Sequence, residues 1–338
     1  MAARYLRLLV ASLLFCLASP AFAQDAKLLE AAKKEGGKVV VYGSLESTVF
    51  DAVKKAFENR TGISVDYWRA SSTKVMDRAV SEYRAGRPLY DVVLTNAAPM
   101  EILKKEGVFA KYASPTNVDF PKEVIDKDGV LGPSYRSNVI SILFNAKMVK
   151  ADEAPKTLEE LLDPKWKGKL AMPDPTQHTT TTTWLVNLEH VLGGREPADK
   201  FVRALGATKP FLVESFIPAA QAVVRGEKPL AISYLKYVLI YGRDGAPMDF
   251  VRLPKLLGEG HNVALAGKAP HPNAGKAFID FFLDNESMRI MAEMGEFVTR
   301  KGVYPPLRDA AKIRWFDMPE MTKDEFTKKR DEYKKIFF

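Results

Sequence analysis

Four hydroxyl-rich turns are the parts of this sequence best suited to chemistry: Gly43-Ser44-Leu45-Glu46-Ser47, Ser71-Ser72-Thr73, Thr95-Asn96 and Thr176-Gln177-His178-Thr179-Thr180. Each follows a short apolar run and opens a stretch of helical spacing. At such a turn the first backbone N–H groups of the helix are free and the helix dipole is positive, which suits an anion. Added hydroxyls let the site hold an oxyanion without a matching full charge. Ser and Thr are also ordinary N-caps, each stabilising its helix by about 1 kcal/mol, and capping alone accounts for any single turn. Four turns lining one crevice assign a ligand role to at least two of them. The candidate ligand-binding residues here are Ser44, Glu46, Ser71, Ser72, Thr73, Thr95, Asn96, Gln177, His178, Thr179 and Thr180.

Catalysis finds no comparable support. The sequence has no Gly-x-Ser-x-Gly elbow, His-Glu-x-x-His pair, Gly-x-x-x-x-Gly-Lys loop or dinucleotide fingerprint. Its four histidines, His178, His190, His261 and His271, are scattered, with none at a metal-ligand spacing from another. The expectation is a binding protein with no cofactor, no metal and no catalytic residue. A secreted hydrolase would need a nucleophile and base, for which His178 is the best candidate, and a chemosensory or structural binding module is a third class.

The elements that must position these turns alternate. Lys38 to Tyr42 is a β-branched run ending at Gly43, and Val49, Phe50, Val53 and Phe57 follow at helical spacing. Ile63, Val65 and Tyr67 alternate with polar residues ahead of a helix through Val75, Met76, Ala79, Val80 and Tyr83. Asp91 to Thr95 reads as a third buried strand, followed by a helix with Met100, Ile102 and Leu103. This β-α order predicts a mainly parallel sheet flanked by helices, whose strand ends line a ligand crevice. The pattern restarts at the strand Val139 to Phe144 and continues through Lys169 to Met172 and Leu230 to Tyr234, a second lobe. Met248 to Leu253 would return the chain to the first lobe, completed by Asn262 to Ala266 and the helix Ala274 to Leu283. The expected division is 24–137 plus 248–310 for lobe 1, 138–247 for lobe 2, and 311–338 as an amphipathic helical tail packed on a lobe. Two crossings make a hinge.

Arg4 and Arg7, the apolar run Leu8 to Ala18 and the pattern Ala21-Phe22-Ala23 mark residues 1–23 as a signal peptide cleaved after Ala23. The run is shorter than the roughly 20 residues a membrane-spanning helix needs. Cys16, the only cysteine, would leave with it, and Phe15 before it argues against a lipid anchor. The leader takes two of the 50 basic residues and none of the 42 acidic ones, leaving +6 on 315 residues. That length exceeds one hydrophobic core. The charge suits an acidic ligand, though it mainly reports solubility and steering. The lysines of the last 18 residues read as a solvated helix face rather than a nucleic-acid arm.

The segment Leu161-Leu162-Asp163-Pro164-Lys165-Trp166-Lys167-Gly168-Lys169-Leu170-Ala171-Met172-Pro173-Asp174-Pro175 resembles the LLDPKWKGKIAMPDP stretch of ferric-iron-type periplasmic binding proteins, in extracellular solute-binding family 1 and related groups. Phe144-Asn145-Ala146-Lys147, Ala219 to Gly226, and Lys268 to Pro272 before Ala277-Phe278-Ile279-Asp280-Phe281 support it. The resemblance covers roughly Lys38 to Tyr304. It implies a type II periplasmic binding fold, two α/β lobes joined by a hinge around a small-molecule ligand, and an ABC permease as partner. The expected protein is periplasmic and monomeric, with no nucleic-acid partner. His271 and Trp166 are then structural.

Iron-binding relatives carry two adjacent tyrosines where this chain has Tyr234-Leu235, and some have a histidine near the position of Glu46. If iron were the ligand after all, Glu46 and Tyr234 would hold it. Other relatives bind phosphorylated sugars, phosphonates, thiamine or organic acids, and a phosphate-, phosphonate- or carboxylate-bearing ligand is the preferred expectation. Arg136, Lys236 and Tyr234 are candidates for charge pairing and stacking, Tyr237 if turned inward, and Glu46 could receive an ammonium or sugar hydroxyl.

Overall fold

The computed structural model describes residues 20–319 and 321–338, with backbone alone at 20–25 and 323. Arg4, Arg7, Cys16 and the apolar run of the expected leader lie outside the described residues. Helix α1 (Pro20–Lys34) spans the expected cleavage point at Ala23. Among the described residues no helix is long and apolar enough to cross a membrane.

The first lobe opens with β1 (Lys38–Gly43), α2 (Ser47–Thr61), β2 (Ser64–Arg69), α3 (Ser72–Arg84), β3 (Val92–Asn96) and α4 (Ala97–Lys105). The three strands are parallel in the order β2-β1-β3, so their carboxyl ends, and the turns that follow, share one edge. Strand alternation buries both faces. Val39, Val41, Val92 and Leu94 pack with Phe50, Phe57 and Phe278 on one side, while Tyr42 and Val93 pack with Val75, Tyr90 and Met100 on the other.

The chain leaves this lobe along β4 (Arg136–Asn145) and builds the second from β5 (Leu170–Pro173), α5 (Thr179–Asn187), α6 (Arg195–Ala207), β6 (Phe211–Val213), α7 (Phe216–Val224), β7 (Leu230–Tyr234), α8 (Lys236–Arg243) and β8 (Met248–Phe250). It returns along β9 (Leu256–Leu265), adds α9 (Pro272–Phe282), α10 (Asn285–Glu293) and β10 (Phe297–Val298), and ends with β11 (Trp315–Asp317) and α11 (Lys323–Phe337). The strands join in one sheet in the order β2-β1-β3-β9-β4-β7-β5-β6. β5, β6 and β7 are parallel, so each lobe is a mainly parallel sheet flanked by helices, the type II arrangement.

β4 and β9 cross between the lobes. They pair antiparallel from Arg136 opposite His261 to Ile140 opposite Leu257. Beyond that stretch β4 pairs with β7 in the second lobe and β9 with β3 in the first. Met248–Phe250, which the sequence pattern sent back to the first lobe, instead pairs with Leu143–Asn145, and Phe250 and Val251 are buried in the second-lobe core. The return crossing is β9, whose Gly258 and Gly260 disguise it as a loop. Neither residue has room for a Cβ: one at Gly258 would run into Ser137 Oγ and one at Gly260 would meet Asp317 Oδ2 at 2.6 Å.

The C-terminal segment lies on the second lobe. β11 runs parallel to β9 at Leu256–Gly258, and α11 packs on α5 and α6 with Tyr333 buried in the second-lobe core. Trp166 is likewise a core residue. His271 precedes α9 and holds Asp91: its backbone N–H donates to Asp91 Oδ1 at 2.6 Å and its Nδ1 lies 3.0 Å from Oδ2.

Candidate binding site between the lobes

The strand-end turns of the first lobe converge. Ser44 and Thr95 hydroxyls are 2.8 Å apart, and Ser72 Oγ donates to Asn96 Oδ1 at 2.5 Å with Ser44 Oγ a further donor at 3.4 Å. Residues more than 50 positions apart in sequence thus form one hydroxyl-amide cluster. Ser71 and Thr73 are exposed beside it.

Capping, the ordinary explanation for such residues, fails at three of the helix starts. Glu46, Ser71 and Asn96 are the N-cap residues of α2, α3 and α4, and none makes a side-chain cap hydrogen bond. The first-turn N–H groups of three helices, which a capping side chain would otherwise occupy, therefore remain at this edge. In the second lobe the reverse holds. His178 caps α5, accepting from the Thr181 N–H at Nδ1, 3.3 Å away, and packs edge-on to Phe216. Burial lowers the pKa of His178, consistent with a neutral capping imidazole. Gln177 and Thr179 are exposed, and Thr180 is half-buried against the Tyr234 hydroxyl.

Charge is concentrated where the lobes meet. Lys236, the first residue of α8, donates to Glu46 Oε1 at 2.7 Å across the cleft and to Glu296 Oε1 at 3.0 Å. Arg136 Nη1 donates to Glu296 Oε2 at 2.5 Å and to Asn138 Oδ1 at 3.1 Å, while its Nη2 lies 3.9 Å from Glu46 Oε2. Arg136 is 1% exposed, so the cation that the sequence offers for the ligand is spent on protein carboxylates. Burial pushes the Glu46 pKa up, but Arg136 and Lys236 overcome it and hold the carboxyl at about 2. Its buried Oε2 has no hydrogen-bond partner.

Tyr234 is half-buried at the floor. Burial first, then the Glu259 and Tyr237 neighbours, raise its pKa well above the ordinary phenol value, with the Thr180 hydrogen bond opposing. Its ring stands 4.3 Å from Phe216 and 6.1 Å from Tyr237. Tyr237 does face inward, where burial and Glu46 raise its pKa. Leu235, in the place of the second tyrosine, is a fully buried core residue. Among the described residues no three His, Cys, Asp or Glu side chains come together closely enough to hold a metal ion.

Three residues of this floor were missed in the sequence: Asn138, Glu259 and Glu296. Glu259 lies opposite Asn138 in the β4–β9 pairing, and Asn96, Asn138 and Tyr234 direct hydrogen bonds at its carboxyl. The Gly-Glu-Gly sequence inside β9 was the available signal, since glycine within a strand marks a close backbone approach on one face. Glu296 had no such marker.

Residues 87–324 match the family described as bacterial extracellular solute-binding protein. The chain belongs to that family. Its members bind small ligands and work with ABC permeases. Among curated relatives, a Salmonella typhimurium protein named provisionally as a 2-aminoethylphosphonate-binding periplasmic protein is 25% identical over 257 residues, covering 72% of this chain and 71% of its own. Iron uptake protein A1 of Synechocystis is 27% identical over 279 residues, covering 77% and 74%. The fold matches iron-bound HitA from Pseudomonas aeruginosa at a TM-score of 0.70 and 21% identity, over 89% of this chain and 99% of that one. AfuA from Actinobacillus pleuropneumoniae, solved with fructose-6-phosphate, matches at 0.63 and 21%, over 89% and 96%. The relatives of this family member are periplasmic transport proteins rather than enzymes.

Proposed function

We propose that this solute-binding protein captures a small organic anion carrying a phosphonate, phosphate or carboxylate group in the cleft between its lobes and delivers it to an ABC permease. The observation that carries this reading is the convergence of three helices whose N-cap residues, Glu46, Ser71 and Asn96, make no side-chain cap hydrogen bond to the first-turn N–H groups. Aligned N–H groups at positive helix ends are suited to an oxyanion. The Ser44, Ser72 and Thr95 hydroxyls lie among them. The relative named for 2-aminoethylphosphonate and the neighbour holding fructose-6-phosphate are consistent with that chemistry.

Contacts from both lobes would shift the population toward the closed form, which the permease reads. The leader read from residues 1–23 supports delivery to the periplasm and cleavage after Ala23. The lobe boundaries that fit this mechanism are the β4 and β9 crossings, and the expected working form is a monomer that binds no nucleic acid.

Iron has less support. Glu46 is held by Lys236 at 2.7 Å, and Leu235 stands where a second phenolate would be.

A thermal-shift panel of phosphonates, sugar phosphates, carboxylates and ferric salts, with native mass spectrometry of protein from its host, tests the reading. Stabilisation by phosphonates or phosphates is expected. A coloured ferric complex with no response to any organic anion would overturn it.

A further inference from the structure

The Glu259 carboxyl is the acidic group of the cleft floor that the Arg136–Lys236 ion network leaves out. Strand alternation fixes where it points. Gly258 and Gly260 face Ser137 and Asp317 on the back of the hinge, so the Glu259 side chain projects from the opposite face of β9, toward Asn96 of the first lobe, Asn138 of the hinge and Tyr234 of the second lobe. Both lobes and the hinge thus meet at one carboxyl.

Its neighbours are oriented by other partners. Asn96 Oδ1 accepts from Ser72 and Ser44, which leaves its NH2 end for Glu259. Asn138 Oδ1 accepts from Arg136, which does the same for the second amide. Two amides and a phenol are neutral donors, and the nearby Arg136 guanidinium is already bonded to Glu296. A half-buried carboxylate so placed is oriented as an acceptor without a bonded counter-charge, which is costly where water is partly excluded. Burial raises its pKa against the pull of Asn96, Asn138, the nearby Arg136 charge and Tyr234.

We propose that Glu259 is a specificity-determining residue of the cleft, receiving an ammonium group at the end of the ligand opposite its anionic group. This rests on the organic-anion reading above and narrows it to bipolar, zwitterionic ligands. The incoming cation supplies the charge that the protein withholds. A ligand lacking it leaves Glu259 unpaired.

Calorimetric titration of the full chain with 2-aminoethylphosphonate, 2-hydroxyethylphosphonate and ethylphosphonate tests the proposal. Wild-type protein is expected to bind the amino compound at least tenfold more tightly than ethylphosphonate. Glu259→Gln keeps the shape and an acceptor oxygen, and is expected to bring the amino compound within about threefold of ethylphosphonate. Equal wild-type affinity for the amino and ethyl compounds overturns the role of Glu259 and leaves the anion reading standing, and this comparison needs no variant. A tenfold preference retained in a folded Glu259→Gln protein also overturns it. Wild-type protein that binds none of the three, nor any phosphate or carboxylate, overturns both readings.

Discussion

Lys236 of the second lobe reaches Glu46 of the first at 2.7 Å, and the same ammonium holds Glu296 beside the hinge at 3.0 Å. One side chain therefore ties the two walls of the cleft to its back. The Glu46 contact runs from lobe to lobe, whereas the Glu296 contact runs to the residue just before β10, which pairs with β4.

Replacing Lys236 with Met leaves Glu296 with Arg136 alone and removes the link between the walls. Removing one partner of a buried pair costs about 3 kcal/mol, and Lys236 is only 6% exposed. Chemical denaturation should show that loss, and small-angle scattering of the unliganded protein a larger radius of gyration. Unchanged values in both measurements would remove this residue as a determinant of closure.

Glu46 gives the protein an acid-sensitive contact. Its pKa is held at about 2 by Arg136 and Lys236 against burial, so the folded form releases the proton more readily than the unfolded chain. The resulting stability is present above the ordinary carboxylate range and is lost as pH falls toward 2. The side chain is 43% exposed, so solvent weakens the effect. Unfolding curves between pH 5 and pH 2 should fall more steeply for wild-type protein than for Glu46→Gln.

Glu259 has the opposite sign. Burial raises its folded pKa, so the folded state holds the proton longer and stability declines as pH rises from the ordinary glutamate range through the raised value. At neutral pH Glu259→Gln should melt higher than wild type, and the gap should close as the pH is lowered. A lower melting temperature at neutral pH would show that the carboxylate stabilises the unliganded floor.

Gly206, in α6, is pressed by the C-terminal helix: a Cβ there would meet the Ile336 carbonyl oxygen at 2.5 Å. Alanine favours helix by about 1 kcal/mol over glycine, but overpacking against backbone costs typically 1–3 kcal/mol. Gly206→Ala should therefore destabilise, read as a lower melting temperature with freer proteolysis of α11. A gain in stability would mean that α11 gives way easily.

Local pattern revealed the strands, since runs such as Lys38–Tyr42 are apolar on both faces wherever helices cover a parallel sheet. It also revealed the hydroxyl turns, because Ser44, Thr95 and Asn96 end or follow such runs and Ser72 follows the alternating strand β2, and they do form one cluster. What it could not supply was pairing at long range. β9 joins β3 and β4 from more than 100 residues away, and only that pairing sets Glu259 beside Asn138. Arg136 carried a charge that suited a ligand, yet Glu296, 160 residues on, takes it up.

The route of the last 24 residues has a consequence for how the molecule is made. The first lobe lacks β9 until residue 265 has been synthesised, and the second lacks the β11 partner of β9 until residue 317 and Tyr333 until later still. A product that stops short of β9 contains neither lobe complete. Pairings of such long range form slowly, so the nascent chain has little to fold onto while it emerges. A polypeptide threaded through a membrane in extended form benefits from that delay, and here the delay is written into strand order.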